Sequence, residues 1–461
     1  MKALLPIIDK NSKEPYYLQL YNYIKSSILR GETAEGEKLP SLRNLSKSTG
    51  LSLTTIEQAY NQLLVEGYIS SKAQSGYYVN KVFSHLPRSV PSENPFPDSN
   101  LIFASSQPQK AEPSMQYDPD CFDFNKWKKC MNKILTEFSP ALFFEGDPQG
   151  EEVLRMEIAK YLYMSRGVSC APNQIVIGAG TQQITGHLAT LLRKQGIEHV
   201  ALETPVYMPV RHTFRDRGFA ITDVPAAEDG IIIEKLPANI STAAYVSPSS
   251  NAFTGSVMPA GRRYELLNWA ASNNSYIIED DYNSELRYFG NPIPALKSLE
   301  HSQRVIYLGS FSSTLFAAVR ISYMVLPPEM AESFSEIASD YSQTCSKLEQ
   351  LTLALFMETG HYQTHIKKLR KLYAQKLSAF VESLNERSSD FVTIANKTSG
   401  INLSVKVRSN KTLTQLKKDA EAVGIPSVFI HGDDSLILYY NQIPLHGIDD
   451  TVSELIRLWR S

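Results

Sequence analysis

The sequence predicts an α/β protein with two unequal parts: a small N-terminal head of three helices and a β-wing, and a large body with a mainly parallel sheet. Three observations support this prediction. In the head, two short β-like runs follow three amphipathic segments. In the body, apolar β-like runs alternate with helical segments, as in a sheet covered by helices. Between the two parts, a proline-rich stretch cannot continue a helix or a central strand.

These features divide the chain into a head (1–81), a linker (82–120) and a body (121–461). The 461 residues include 46 Lys and Arg, 48 Asp and Glu, and 43% apolar residues, which excludes a mainly disordered chain. The sequence has neither an apolar run long enough to cross a bilayer nor the features of an export signal, so we expect a cytoplasmic protein. We expect neither a zinc site nor a disulfide framework, because the four cysteines are far apart: Cys121, Cys130, Cys170 and Cys345.

The head contains three segments with helical periodicity. We expect Gly31 to end the first helix. Pro40 and Ser41 are expected to open the second helix. Ser52 can cap the third, because a serine hydroxyl can accept a hydrogen bond from the free N–H groups at a helix N-terminus. Two β-like runs, 68–72 and 77–79, then predict a wing. This order is that of a winged helix-turn-helix, in which a helix fits the major groove of DNA and the wing reaches the adjacent backbone.

Several side chains of the head are candidates for DNA contacts. Polar residues on the outer face of the third helix can meet base edges or phosphates, and basic residues on the second helix and the wing can neutralise phosphates. The alternative is a solvated surface on a small helical domain. Residues 1–81 carry 10 Lys and Arg against 7 Asp and Glu, which permits DNA binding without requiring it. The candidates are Arg43, Lys47, Thr54, Thr55, Gln58, Asn61 and Lys72.

From Pro15 through Val79 the head resembles the winged helix-turn-helix of the GntR family. The resemblance implies that double-stranded DNA is a partner. In one departure, Leu53 stands where the family often has a basic residue, so operator sequences cannot be transferred from relatives. The motifs that carry the resemblance are Tyr17-Leu18-Gln19-Leu20-Tyr21, Lys38-Leu39-Pro40-Ser41-Leu42-Arg43, Ala59-Tyr60-Asn61-Gln62-Leu63 and Glu66-Gly67-Tyr68.

Four loops of the body follow predicted strands, where ligands of parallel sheets gather. The loop 178–181 leads into a helix whose free N–H groups could hold a phosphate. Tyr207 could stack on a planar ring, acids at 279–281 end a strand, and hydroxyls from 310 onward with Arg320 suit a phosphate. Each feature alone also has a structural explanation, such as a tight turn, core packing or a helix cap. The predicted strands are 174–177, 199–202, 243–246, 276–278, 305–308 and 321–325.

Together these loops resemble the fold-type I aminotransferase domain, which binds pyridoxal phosphate and has a smaller C-terminal α/β subdomain. The resemblance rests on Gly146-Asp147-Pro148-Gln149-Gly150, Leu154-Arg155, Ile278-Glu279-Asp280-Asp281-Tyr282 and Gly309-Ser310-Phe311-Ser312. It implies that Asp280 pairs with the pyridine nitrogen, Tyr282 with the phenolic oxygen, and Tyr207 stacks on the ring. It also implies that the phosphate is held by Gly180, Thr181, Ser310, Ser312 and Arg320. A GntR head joined to such a body is the layout of the MocR/GabR-type transcriptional regulators.

At one decisive position the chain departs from this family. The Schiff-base lysine belongs directly after Ser-Phe-Ser, and here that position is Ser313. A hydroxyl cannot attach the aldehyde of the cofactor, and no lysine occurs between Lys297 and Lys347. We therefore expect no covalent attachment at this site, no catalytic residue, and amino-group transfer that is very slow or absent.

Further departures accompany the loss of the lysine. Ser250 and Phe253 replace a histidine and a proline of the family's loop, and Glu145 replaces a tyrosine. Ile437 lies where relatives that bind an amino-acid carboxylate often keep an arginine. Several losses in one pocket indicate natural divergence of the site. The pocket then either holds pyridoxal phosphate noncovalently or has become vacant or repurposed for an effector.

Three functions remain open from the sequence. The first is a dimeric DNA-binding regulator whose body senses a small-molecule effector. The second is a transaminase with an appended DNA-binding module. The third treats the body as a ligand-free dimerisation platform. The intact head and the altered catalytic centre favour the first.

Overall fold

The computed structural model describes residues 8, 9, 12, 14–81, 121–227, 229–250, 257–288, 293–394, 400–425, 427–431 and 434–461. The chain forms two compact units, Met1–Gln107 and Pro108–Ser461. The predicted linker, 82–120, lies outside the described residues, so its bounds remain a prediction. In the described part of the chain, no helix combines the length and the apolar character needed to cross a membrane.

The first unit contains the predicted winged helix-turn-helix. Serine hydroxyls cap two of its helices: Ser52 accepts from the N–H of Thr55 at 3.1 Å, as expected, and Ser41 accepts from that of Asn44 at 3.3 Å. Gly50 ends the second helix with a φ of +73°, a conformation that favours glycine. The elements are α1 (Tyr16–Leu29), α2 (Leu42–Thr49), α3 (Leu53–Val65), β1 (Ile69–Lys72) and β2 (Gly76–Val79).

A compact apolar core holds these elements together. One face of each helix contributes to this core together with the antiparallel wing, in which Ile69 pairs with Val79. The Tyr60 hydroxyl inside this core donates to the carbonyl of Pro40 at 3.0 Å, so α3 is tied to the start of α2. The buried apolar residues are Leu20, Tyr21, Ile24, Ile28, Leu39, Leu45, Ile56, Ala59, Tyr60, Leu63, Ile69 and Val79.

The second unit is built on an eight-stranded sheet, and all six predicted strands are present in it. Strands β4, β5, β7, β8 and β9 pair in parallel, whereas β10 pairs antiparallel with both β3 and β9, and β6 pairs antiparallel with β5. The order is β3-β10-β9-β8-β7-β4-β5-β6. The strands are β3 (Ile175–Gly178), β4 (His199–Thr204), β5 (Ala220–Ala227), β6 (Gly230–Ile231), β7 (Thr242–Val246), β8 (Tyr276–Asp280), β9 (Val305–Ser310) and β10 (Ser322–Val325).

Helices cover this sheet, and their apolar faces together with the strands form the main core. They are α4 (Phe124–Glu137), α5 (Glu152–Arg166), α6 (Thr181–Lys194), α7 (Met208–Asp216), α8 (Ala260–Ser272), α9 (Pro328–Ala338) and α10 (Lys347–Glu358). A long helix, α11 (His361–Ser388), contacts this core with its first residues and the core of the C-terminal subdomain with its later ones.

The smaller C-terminal subdomain has an antiparallel sheet of order β11-β12-β14-β13. The last helix closes its core, because Trp459 is 1% exposed and its indole N–H donates to the carbonyl of Leu416 at 3.0 Å. The elements are β11 (Val392–Ile394), β12 (Asn402–Val407), α12 (Leu413–Ala422), β13 (Ser427–His431), β14 (Ser435–Tyr439) and α13 (Ile448–Arg460).

The register of the large sheet places the candidate loops along one edge. Ser322 pairs with Gly178 on one side and with Ser310 on the other, and Asp280 pairs with Leu308 on the next strand. The carboxyl ends of β3, β9 and β8 therefore lie at the same edge of the sheet.

Candidate functional site

The outer face of α3 presents polar side chains, as the sequence predicts. Thr54, Gln58 and Asn61 are exposed and lie opposite the buried face of the helix. Thr55 differs, since it is half-buried and its hydroxyl lies 2.8 Å from that of Ser52, within the cap of the helix. The first three side chains are thus available for contacts, whereas the hydroxyl of Thr55 already has a partner.

The basic candidates flank this face. Arg43 and Lys47 are exposed on α2, and Lys72 is exposed at the end of β1. The Lys72 ammonium lies 4.7 Å from the centre of the Tyr78 ring, a cation–π distance that fixes its position on the wing. Exposed cations on the elements that precede and follow a polar helix suit a duplex, whose phosphate backbones border the groove.

In the body, Gly180 and Arg320 are in direct contact. Gly180 precedes α6 with a φ of +89°, and a Cβ at this position would lie 2.2 Å from an Arg320 guanidinium nitrogen. Arg320 itself has a φ of +48° and ends the short helical turn Ala317–Val319. Thr181 begins α6, one residue earlier than the sequence suggests. A guanidinium therefore lies against the loop that exposes the free N–H groups of a helix.

The serines after β9 complete this corner of the sheet. The Ser322 hydroxyl donates to the Ser310 hydroxyl at 2.8 Å, and the latter accepts from the backbone N–H of Ser312 at 3.3 Å. The Ser312 hydroxyl oxygen is buried and has no hydrogen-bond partner among the described residues. A buried hydroxyl without a partner is costly unless a ligand or water satisfies it.

Asp280, at the end of β8, accepts a hydrogen bond from a tyrosine that the sequence did not indicate. The hydroxyl of Tyr245, on β7, donates to the Asp280 carboxylate. Burial raises the pKa of Asp280 to about 6, although the Tyr245 bond opposes this shift. Tyr207, after β4, and Tyr282, two residues past Asp280, are both half-buried. Tyr207 also packs partly against the core, which is the structural explanation that the sequence left open for this residue.

Asp281, the residue after Asp280, belongs to a buried ion pair that the sequence also did not indicate. Arg166, at the end of α5, donates to the two carboxylate oxygens of Asp281 at 2.7 and 2.8 Å. Asp281 accepts further hydrogen bonds from Tyr307 and Ser284. The charge of Arg166 and these bonds lower the pKa of Asp281 despite its burial. The backbone that carries Asp280 is thereby anchored to α5.

Comparison with known proteins agrees with both halves of this description. Residues 16–79 match the model of the bacterial regulatory proteins of the gntR family, and residues 116–423 match that of aminotransferase class I and II. YhdI, an uncharacterised HTH-type transcriptional regulator of Bacillus subtilis, is 38% identical over 413 residues, covering 88% of this chain and 86% of YhdI. MocR of Rhizobium meliloti, a probable rhizopine catabolism regulatory protein, is 30% identical, with coverage of 86% and 83%.

The chain belongs to the MocR/GabR-type GntR regulators. It is accordingly a DNA-binding transcriptional regulator with an aminotransferase-like domain, and the regulator interpretation is supported over that of a transaminase. The fold of the body is shared with LysN, the α-aminoadipate aminotransferase of Thermus thermophilus. That structure, solved with N-(5'-phosphopyridoxyl)-L-leucine, has a TM-score of 0.63 at 24% identity and covers 75% of this chain and 90% of LysN.

The Gly-Asp-Pro-Gln-Gly motif of this MocR/GabR-type chain has a clear structural role. Arg155 donates to the Asp147 carboxylate and to the Gly150 carbonyl, both at 2.8 Å. These contacts fix the loop that precedes α5. Glu145, beside the motif, is exposed, and its carbonyl accepts from Lys347 at 3.1 Å.

At the lysine position of the family, this regulator has a small buried side chain. Ser313 is 2% exposed, and its hydroxyl makes one long hydrogen bond, 3.5 Å, to the carbonyl of Ser310. Of the other departures, Ser250 and Ile437 are buried. Phe253 lies outside the described residues.

Proposed function

We propose that this regulator senses a phosphorylated pyridine, which its body holds without a covalent bond, and that pyridoxal phosphate is the first candidate. The observation that carries the proposal is the buried Ser312 hydroxyl, which lacks a partner among the described residues. Ser312 follows the end of β9. There Ser310 pairs with Ser322, which in turn pairs with Gly178 at the end of β3. An acceptor-rich group such as a phosphate would satisfy this hydroxyl.

The residues around Ser312 fit a phosphate. The Arg320 guanidinium supplies a positive charge and lies against Gly180, where the lack of a side chain leaves room for it. The N–H groups at the start of α6, from Thr181 onward, add donors and the positive end of a helix dipole. Ser310 offers a further hydroxyl. Helix N-terminus, guanidinium and hydroxyls together form an anion-binding set.

Asp280 fits the other end of such a ligand. Its pKa of about 6 leaves it mostly ionised at neutral pH, so it can accept a hydrogen bond from a protonated pyridine nitrogen. Affinity should fall as the pH drops below about 6, because the protonated acid loses the charge that attracts the ring. Tyr282 and Tyr207 would contact the phenolic oxygen and the ring face.

Bound pyridoxal phosphate supplies an aldehyde and an electron sink, but this chain offers only the Ser313 hydroxyl where the family has an amine. Lys297, the last lysine before Ser313 in the sequence, cannot take the place of the family's amine. The Lys297 ammonium is buried and donates to the Val305 carbonyl at 2.6 Å and to Glu300 at 3.0 Å. We therefore infer binding without appreciable amino-group transfer.

A second candidate is a pocket that has been repurposed for another effector. It is favoured by the Tyr245 hydroxyl, which already gives the Asp280 carboxylate a partner without any ligand. In this case the phosphate-binding corner would remain while the ring-binding end changed.

Absorption spectroscopy and thermal unfolding of the full chain distinguish these candidates. The probes are pyridoxal phosphate, pyridoxal and inorganic phosphate. Stabilisation by pyridoxal phosphate well beyond that by the other two supports the first candidate, since a ligand that binds the native state must raise its stability. Stabilisation by phosphate alone supports the second. No stabilisation by any probe would overturn both and leave a ligand-free dimerisation platform.

We further propose a cytoplasmic homodimer in which ligand binding shifts the orientation of the heads. Large exposed apolar side chains concentrate in the first part of the body, among them Phe143 (88%), Phe144 (72%), Tyr163 (66%) and Met164 (73%). Such exposure is typical of surfaces that bind another protein, and closed two-fold dimers are the commonest oligomers. The ligand can act only if it binds the two orientations unequally.

Light scattering of the full chain tests the dimer. The wild type should have twice the monomer mass, and Phe143→Ser with Phe144→Ser should shift it toward the monomer at low concentration. The matched control is Tyr16→Ser, which changes an aromatic that is 42% exposed in the head. A wild type that is monomeric at high concentration would disprove the dimer.

A further inference from the structure

The helix that faces DNA in this fold carries no positive charge. The chain has no lysine or arginine between Lys47 and Lys72, a stretch that contains the whole of α3. The exposed residues of α3 are therefore neutral or acidic. Along the chain, the nearest basic residues are Lys47 on α2 and Lys72 on the wing, which suit phosphates rather than base edges.

The residues that point farthest from the core of the head form one line along α3. At 100° per residue, Thr54, Gln58 and Asn61 lie opposite the buried Ile56, Ala59, Tyr60 and Leu63. All three are exposed, and within residues 14–81 no hydrogen bond engages their side-chain groups. Their donors and acceptors are free to meet a base pair.

The chemistry of this line matches adenine and thymine. Asn and Gln side chains can bond adenine in two places, at N6 and N7, and apolar groups such as the Thr methyl contact the methyl group of thymine. Guanine, with its N7 and O6 acceptors, is most often read by arginine or lysine, which α3 lacks. Glu57 is also exposed on α3, and its carboxylate would repel those acceptors.

We propose that α3 reads A·T base pairs in the major groove, with Gln58 and Asn61 bonding adenine N6 and N7 and Thr54 contacting a thymine methyl, and that it makes no contact with guanine N7 or O6. This inference rests on the assignment of the head as a DNA-binding module. It adds the class of base pair that the module recognises. Leu53, 48% exposed at the start of α3, would add a second apolar contact to thymine.

The test begins with selection of bound duplexes from a randomised pool by the full chain, followed by base analogues in the selected site. Replacing adenine by 7-deazaadenine removes N7 but keeps base pairing, and replacing thymine by uracil removes only the methyl group. We expect 7-deazaadenine at one or two positions to weaken binding by about 5-fold or more, because it removes one of the two hydrogen bonds of a bidentate contact whose complete loss corresponds to roughly 5- to 150-fold. 7-Deazaguanine should have no effect at any position that α3 contacts.

Protein variants assign the contacts. Gln58→Ala and Asn61→Ala should each weaken binding to the selected site and abolish its sensitivity to 7-deazaadenine at one position. The control is Gln62→Ala on the same helix, because the Gln62 amide donates to Glu66 at 2.7 Å within the head. Leu53→Arg should introduce a preference for guanine.

Binding to the base analogues and binding to any duplex distinguish the failure of A·T recognition from the failure of DNA binding. Binding that depends on guanine N7 and not on adenine N7 would overturn the inference while leaving DNA binding intact. Binding that is indifferent to both analogues would also overturn it. No salt-dependent binding to any duplex would overturn the DNA-binding role itself.

Discussion

Arg166 and Asp281 form a two-point ion pair beneath the candidate site, and neither side chain is more than 4% exposed. The pair joins the end of α5 to the residue that follows Asp280, so it holds the backbone of the ring-binding end in place. The attraction between two buried charges compensates for the free energy lost when they leave water, and it does so only while both charges are present.

Removing one charge of this pair should therefore destabilise the body strongly. Asp281→Asn leaves the Arg166 guanidinium buried without a counter-charge, and we expect a loss of about 3–5 kcal/mol in the free energy of unfolding. Denaturant titration measures it. The matched control is Asp390→Asn, which breaks the exposed pair with Arg460 and should cost less than about 1 kcal/mol. Equal effects of the two variants would contradict a structural role for the buried pair.

The body should also lose stability with rising pH through Glu285. Burial and the nearby charge of Asp281 raise the pKa of this side chain to about 7 from an ordinary value of 4.5. Because the folded state holds the proton more tightly, the stabilising contribution is complete below about pH 4.5 and is lost as the pH rises to about 7. Glu285→Gln keeps an acceptor for the Tyr161 hydroxyl, which lies 3.0 Å from Glu285.

Relative to wild type, this variant should therefore gain stability between pH 4.5 and 7, reaching about 1–3 kcal/mol above pH 7. Thermal unfolding across this pH range measures the difference. Glu386→Gln, at a side chain that is 75% exposed, is the control and should change little at any pH. A difference that does not vary with pH would show that Glu285 has no raised pKa.

The elements that the sequence predicted share strong local signals. The three helices of the head have serine caps or terminal glycines, and the six predicted strands are mainly apolar runs, five of them in the interior of the sheet and β3 at its edge. Strand β5 was missed because Asp223 and Pro225 interrupt its apolar pattern. The strands of the C-terminal sheet were likewise not predicted one by one.

The candidate site was predictable only as far as it depends on strand ends. Asp280, Ser310 and Ser312 follow apolar runs, and Gly180 lies in a glycine-containing loop. The local sequence pattern is therefore enough to indicate these four residues. Tyr245 and Arg166 act on residues 35 and 115 positions away in the chain. No local pattern encodes such contacts, because tertiary folding creates them.

The contact between Gly180 and Arg320 predicts a specific loss of anion binding. Gly180→Ala would place a Cβ 2.2 Å from a guanidinium nitrogen and force Arg320 to move. We expect the affinity for pyridoxal phosphate to fall by at least tenfold, equivalent to about 1.4 kcal/mol. Isothermal titration measures it. The control is Gly196→Ala, which shares a positive φ of +73° but has open space around it, so it carries the backbone strain without the clash. Equal affinity of the two variants would exclude Arg320 from the site.

Restoring the family's amine should restore covalent attachment. Ser313 lies in a buried position directly after Ser-Phe-Ser, where the family has its Schiff-base lysine. Ser313→Lys should therefore turn yellow on addition of pyridoxal phosphate, and reduction with borohydride should fix the cofactor to residue 313, as peptide mass measurement can show. Ser313→Met, of similar length but without an amine, is the control. The absence of a visible band from a folded Ser313→Lys protein would favour the repurposed pocket.

The flanking cations of the head should govern DNA affinity without setting sequence preference. Arg43→Ala, Lys47→Ala and Lys72→Ala each remove a proposed phosphate contact, so each should weaken binding to all duplexes alike and reduce the slope of log affinity against log salt by about 1. Fluorescence anisotropy at several salt concentrations measures both quantities. Arg30→Ala, at an exposed arginine at the end of α1, is the control and should leave the slope unchanged. If the three variants keep the wild-type slope, their side chains do not contact phosphates, and the duplex must bind to another face of the head.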